Sequence, residues 1–320
     1  MNRCVWENDS ATAPLRNRWC VESLPVRFRA LRWYWRHAPV RRGIVPLTYS
    51  FSRMLGWKAR MKVSLPGFLT ITCNLSNSQY HPLYTLGGLY ESDTLRFILN
   101  SLEPGDVFCD VGCNWGFFSL LAALRVGERG KVVAFDPNPE VLKEGLRRHV
   151  EQSRLSNVLI ECCAVSDDHN QPVELTFPGS GHSGEASIMR KRPPTITRRI
   201  FARTVRLDRF FSRDAFPRLI KLDVEGAEMK ALCGSVEALR GGARPVFVIE
   251  YIPDTKTYSH RLEDILSFFK PYDYLLGWIV PCGVCKAHSS DPPPCVRDGN
   301  LCAIPSELVE FYSPVACVQQ

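Results

Sequence analysis

From residue 93 onward the chain alternates short apolar runs with longer stretches whose apolar residues recur every three or four positions. Residues 93–102 carry helical spacing, 107–111 form a short buried strand, and Phe117, Leu120, Leu121 and Leu124 stand at i, i+3, i+4 and i+7, as on one helix face. The pattern then repeats: a strand over 131–135, a helix over 140–152, a third strand over 158–162 and a fourth over 219–222. A helix with Met229, Leu232, Cys233 and Val236 on its buried face precedes an apolar strand over 246–250. Such alternation predicts an α/β fold, a mostly parallel sheet with helices on both faces. Runs 274–280 and 300–304 complete it as terminal strands, and there is no internal repeat. Ahead of this unit, 61–65 and 68–74 flank Pro66-Gly67, which predicts a β-hairpin.

The N-terminal arm differs in character. Residues 1–62 hold 13 Lys/Arg against 3 Asp/Glu, leaving 27 against 30 for the remainder, so the net charge of +7 belongs to the arm. Between 27 and 57, Arg27, Arg29, Arg32, Arg36, Arg41 and Arg42 interleave with Phe28, Trp33, Tyr34, Trp35 and Trp57. Breaks at Pro39 and Pro46 favour a helical extension packing its aromatics on the catalytic domain, with peripheral contact to an anionic membrane as the second reading. The expected division is a basic aromatic extension over 1–62 and a catalytic domain over 63–320, its core at about 83–304. A second basic stretch, 190–213, leaves the rest of the chain more acidic still, so no nucleic-acid partner is expected. No apolar run approaches the roughly 20 residues of a membrane-spanning helix. The 13 scattered cysteines, with no leader-like apolar segment before them, point to a reducing cytoplasm.

The chemistry concentrates at strand ends. Asp110-Val-Gly-Cys-Asn-Trp-Gly116 follows a strand and opens a helix, where backbone N–H groups meet a ligand's charged end and Gly112 and Gly116 permit a tight turn. A dinucleotide loop would read G-x-G-x-x-G; here the spacing is G-x-x-x-G after an acid, which repels pyrophosphate and suits the ammonium of a methionine moiety. Asp136, in Phe135-Asp-Pro-Asn-Pro139, can accept both hydroxyl hydrogens of a ribose, although an acid before proline also starts turns. In Ala164-Val-Ser-Asp167, Ser166 or Asp167 can meet an adenine amino group, and turn chemistry explains them nearly as well.

Leu219-Ile-Lys-Leu-Asp-Val-Glu-Gly-Ala-Glu228, with Leu232 and Gly234, resembles the signature of the FkbM-type methyltransferases. The likeness extends to Tyr90-Glu91, Gly105-Asp106, the Asp110 and Asp136 motifs, Ala164 to Asp167, Arg206-Leu-Asp208 and Val248-Ile-Glu250. It implies a Rossmann-like class I methyltransferase fold, S-adenosylmethionine as donor, and O-methylation of a hydroxyl on a sugar, glycan or secondary metabolite. The implied cofactor residues are Glu91, Asp110, Gly112, Asn114, Gly116, Asp136, Ser166 and Asp167. Two departures stand out: Asp136 replaces the family's more frequent Glu, and its asparagine-rich serine loop becomes Gly181-His-Ser-Gly-Glu-Ala-Ser187.

An aliphatic hydroxyl attacks poorly unless a base takes its proton. Asp223 and Glu250, at the ends of adjacent predicted strands, are the base candidates, with Glu225 in the next turn. Glu228 reads as a helix N-terminal acid, and Lys221 shares a face with Asp223 and pairs with it. A divalent metal on Asp223 and Glu250 lacks a clear third ligand and ranks below a metal-free base. His182 lies in a Gly/Ser-rich loop that favours an exposed histidine. Cys282-Gly-Val-Cys285, with His288, Cys295 and Cys302, supplies one tight pair where structural zinc wants two, which favours free cysteines in a loop. N-methylation of protein or nucleic acid lacks its Asn/Asp-Pro-Pro-Tyr/Phe tetrapeptide, and an oxidoreductase lacks its glycine spacing. Intact acids argue against a non-catalytic cofactor-binding module.

Overall fold

A computed structural model describes residues 20–22, 60–64, 69–74, 91–178, 196–251, 260–281, 283–287, 293, 296 and 299–312. The basic aromatic stretch 27–57 and His182 lie outside them. Strands β1 (Cys20–Glu22), β2 (Arg60–Ser64) and β3 (Thr70–Asn74) form an antiparallel sheet, so the predicted hairpin is present and gains a strand from the arm. The expected boundary at 62 therefore cuts through β2. Leu69 and Ile71 are fully buried in the core of the catalytic domain.

Helix α1 (Ser92–Ser101) leads into β4 (Val107–Val111), α2 (Phe117–Val126) and β5 (Lys131–Phe135). A helical run over 139–153 (α3), π-wound over Leu142–Arg147, precedes β6 (Val158–Glu161) and the short β7 (Ala164–Val165). The long ribbon of β8 (Pro172–Pro178) and β9 (Ile196–Val205) then pairs back onto β7, in a separate three-stranded sheet that is not among the expected elements. After α4 (Leu207–Phe210) come β10 (Leu219–Leu222), α5 (Glu228–Cys233), α6 (Val236–Arg240), β11 (Val246–Glu250) and α7 (Leu262–Phe269). Strands β12 (Tyr274–Val280), β13 (Gly283–Lys286) and β14 (Asn300–Pro305) complete the main sheet.

That sheet runs β13-β12-β14-β11-β10-β4-β5-β6. From β11 to β6 every pair is parallel, while β14 is antiparallel to both its neighbours. Setting aside the edge strand β13 and numbering the other seven along the chain, the order is 3-2-1-4-5-7-6. This is the doubly wound nucleotide-binding arrangement with a last, reversed strand inserted. The run 300–304 is thus interior, a correction to its expected terminal place. Alternate residues of the central strands feed two cores: Phe108, Leu219, Val246 and Val248 face α1–α3, and Cys109, Ile220, Leu222 and Phe247 face α5 and α7. Leu124, expected on the buried face of α2, is 37% exposed. The predicted helix after β10 is broken at Gly234-Ser235, and it buries Ala231, Leu232 and Leu239, with Met229, Cys233 and Val236 half-buried. At the break Gly234 lies against the Ser166 carbonyl, where a Cβ would stand at 2.4 Å.

Two features shape the carboxyl edge. Gly112 has φ +80 and lies so close to the loop after β10 that a Cβ would stand 1.8 Å from the Asp223 carbonyl oxygen. That loop is itself capped from below: Glu228, fully buried, accepts the N–H groups of Val224 and Gly226, both at 3.1 Å. Glu228 is thus the helix-start acid the sequence suggested, and it also fixes the loop that precedes the helix. Burial pushes Glu228 up to about 7 despite these bonds, and pushes His260, 3.7 Å from its other oxygen, below its usual value. Because the folded protein holds this proton more tightly than the unfolded chain, the Glu228 contribution to stability is full below about 4.5 and is lost as pH rises through about 7. Glu228→Gln should therefore match the wild type in urea unfolding at low pH and exceed it above pH ~7.5 by on the order of 2 kcal/mol. A variant that is less stable at high pH would show that the ionised carboxylate is the favoured form.

Candidate active site

The strand ends bring most of the sequence candidates to one place. Asp110 and Lys221 are register partners on β4 and β10, and both alternate away from the α5–α7 core, so their side chains share the α1–α2 face. Asp110 is buried; its Oδ2 accepts the Ser119 hydroxyl at 2.5 Å and its Oδ1 has no hydrogen-bond partner. Burial raises its pKa, against the lowering pull of Lys221 and Ser119. Ser119 was not anticipated; it sits in the first turn of α2, where the helix period returns it over the strand it follows.

Lys221 is buried, with its Nζ 2.6 Å from Asp223 Oδ2 and 4.7 Å above the Phe118 ring. Burial works against its charge, but Asp223, Asp110 and Glu91 outweigh it and hold the pKa above the ordinary lysine value. Glu91 is the N-cap of α1 in a left-handed conformation, φ 41, on the same face. The expected pairing of Lys221 with Asp223 is present; its depth of burial was not legible, because strand alternation gives a face and not the cover over it.

Asn114, φ 51, donates its backbone N–H to Asp136 Oδ2 at 3.0 Å, and its side-chain Oδ1 is buried with no hydrogen-bond partner. Asp136 Oδ1 accepts the Asn138 N–H at 2.8 Å, so this carboxylate ties the β4 and β5 loops together. Asn138, not Asp136, is the cap of α3. Burial raises Asp136 to about 6, opposed by those two N–H bonds. Gly116, φ +92, starts α2 under Leu146, whose Cδ1 would lie 2.3 Å from a Cβ there.

Asp223 follows β10 directly and is 28% exposed at the rim. Leu222 pairs with Ile249 in the parallel register, so Glu250 ends β11 beside Asp223. Opposite Glu250 in the sheet is Asn300, whose Nδ2 donates to Thr94 Oγ1 of α1 at 2.8 Å. Glu225 occupies the capped loop with φ 54. Ser166 and Asp167 follow β7: the Ser166 hydroxyl donates to Asp167 at 2.8 Å, and Asp167 borders a polar cleft of about 530 Å³ with His169, Arg206 and Asp208.

The cysteine loop needs correction. Cys285 is disulfide-bonded and lies in β13, not in a loop of free thiols, and Cys302 is a buried free thiol inside β14. A four-residue edge strand is too short for its period to register in sequence. Cys282, His288 and Cys295 fall outside the described residues. Among the described residues no three His, Cys, Asp or Glu side chains are grouped as metal ligands, and no helix is long and apolar enough to cross a membrane.

The family model described as the methyltransferase FkbM domain matches residues 106–276, more than half the chain. A curated relative, the hexuronic acid methyltransferase AglP of Haloferax volcanii, is 23% identical over 195 residues, covering 58% of this chain and 76% of that protein. Among solved structures, an rRNA methylase from Streptococcus thermophilus aligns at 12% identity and TM-score 0.36, covering 67% of this chain and 93% of its own. An S-adenosylmethionine-dependent O-methyltransferase from Thermotoga maritima does so at 12% and 0.35, covering 67% and 65%. With the strand order and the family match in hand, the chain belongs to the FkbM methyltransferase family and is an S-adenosylmethionine-dependent methyltransferase.

Proposed function

We propose that the chain transfers a methyl group from S-adenosylmethionine to a hydroxyl oxygen of a sugar within a glycan, with Asp223 as the base. The observation that carries this reading is the state of Asp223: one oxygen is fixed by the buried Lys221 while the side chain stays partly open at the rim. A carboxylate so held needs no reorganisation before it meets an incoming hydroxyl. Glu250, its neighbour across the sheet, orients the acceptor through a second hydroxyl, and Glu225 lines the same rim. The sugar acceptor is supported by the hexuronic acid methyltransferase relative.

The donor fits the other side of the edge. Asp110 Oδ1 and Asn114 Oδ1, both buried without hydrogen-bond partners, offer acceptors to the ammonium of the methionine moiety. The backbone at Gly112 and Gly116 approaches it, Asp136 takes the ribose hydroxyls, Ser166 and Asp167 meet the adenine, and Glu91 adds negative charge beside Asp110. S-adenosylmethionine supplies a methyl group on a cationic sulfur, so the protein's task is alignment and removal of the acceptor proton. As the new O–C bond forms and the C–S bond breaks, the hydroxyl proton passes to Asp223. The Asp223 side chain keeps its Lys221 contact throughout.

Asp136→Ala should weaken donor binding by at least about tenfold in calorimetry, since charged hydrogen bonds are worth roughly 1.5–3 kcal/mol each. With Asp136 at about 6 in the free protein, wild-type donor affinity should fall as pH drops below that value and level off above it. Affinity indifferent to both changes would remove Asp136 from the site. For the chemical step, Asp223→Asn should preserve donor affinity and lower turnover on uronic-acid-bearing oligosaccharides by at least about 10²-fold. Glu250→Gln should act in the same direction, and EDTA should leave the wild-type rate unchanged, whereas a loss reversed by magnesium would mean a metal takes the base's part. Methyl transfer to protein or RNA acceptors, with none to any sugar, would overturn the reading.

A further inference from the structure

We propose that Lys221 is a positioning residue for methyl transfer: a single buried ammonium, set between the carboxylate facing the donor and the one facing the acceptor, which aims Asp223 and fixes the charge the donor meets. The inference rests on the roles given above to Asp110 and Asp223.

A lysine with only a structural part to play usually runs its stem along apolar surface and keeps its head in water. Lys221 does the reverse, with only 2% of its side chain exposed. Taking an ammonium out of water is costly, and an apolar residue of similar volume would fill the space at less expense. What holds it there is the charge around it. Asp223 lies on its own strand end at 2.6 Å, Asp110 is its register partner on β4, and Glu91 approaches from the start of α1. The Phe118 ring of α2 closes the remaining side. Asp223 also crowds Asp110, Asp136 and Glu228 with negative charge, and Lys221 offsets that crowding at Asp110. Because its Nζ is bound to Asp223 Oδ2, the other Asp223 oxygen has a defined direction. One side chain is thus bound to Asp223 and acts on Asp110 through its charge, without contacting either substrate.

The role predicts a signature that loss of packing would not produce. S-adenosylmethionine carries a positive sulfur and its product S-adenosylhomocysteine does not, so removing a nearby cation favours the donor over the product. Lys221→Met, in the full chain, should raise the ratio of product to donor dissociation constants by about tenfold in calorimetry. Its turnover on the sugar acceptor should fall by at least about 10²-fold. Lys221→Arg keeps the charge but cannot reproduce the compact contact with Asp223, so its ligand ratio should stay within about twofold of wild type while turnover falls about tenfold. An unchanged ligand ratio in Lys221→Met, or full turnover in Lys221→Arg, overturns the proposal. If the methionine variant does not fold, the arginine variant decides. The ligand ratio is read without any acceptor, whereas wild-type turnover in Asp223→Asn would sink the acceptor reading alone.

Discussion

At the middle of the sheet the loop leaving β4 presses its backbone against the loop leaving β10, so closely that only a glycine at 112 leaves the Asp223 carbonyl room. This is where the parallel order reverses, with chain connections running outward on either side, and such reversal points open a crevice at the strand ends. The close approach sets Asp110 across from Lys221 and brings Asp223 alongside Val111, whose carbonyl accepts the Asp223 N–H at 3.0 Å. Every candidate role at the edge follows from that approach. A wider gap would separate Asp110 from Asp223.

Holding so many acids together has a cost that the fold carries elsewhere. Burial raises Asp110, Asp136 and Glu228 above ordinary carboxylate values, each a sign that the charged form is disfavoured where it sits. The compensation is specific in each case: Ser119 and Lys221 for Asp110, two backbone N–H groups for Asp136, and two more for Glu228. The result is an edge whose polar groups are oriented before any ligand arrives, which is the usual form of electrostatic preorganisation.

The reversed strand β14 serves the same edge from the other direction. Its first residue, Asn300, pairs with Glu250 and reaches Thr94 in α1, tying the end of the chain to the first helix of the domain. Further along, Arg244 bonds Glu307 through two nitrogens and reaches the carbonyl of Asp273. Helix α1 and strand β14 therefore meet beside Glu250.

The sequence alone determined the order of strands and helices, the glycine turn after an acid, and the placing of Asp110, Asp136, Asp223 and Glu250 at strand ends. Those features are local: a period of two or 3.6, or a residue type at a fixed offset from an apolar run, leaves its mark within a few residues. Tertiary structure decided the rest. It inserted β14 between β11 and β12, since strand order depends on hydrogen-bond partners far apart in the chain. It paired β8, whose Val173-Glu-Leu-Thr-Phe177 alternation is local, with the Arg-rich β9 about twenty residues later, and it packed Gly234 against the Ser166 carbonyl at the point where the helix is interrupted. It also turned Lys221 from a residue beside Asp223 into a buried cation among three acids. Burial is a property of what lies above a side chain, and for Lys221 that cover comes from Phe118 and Glu91, more than 100 residues earlier in the chain.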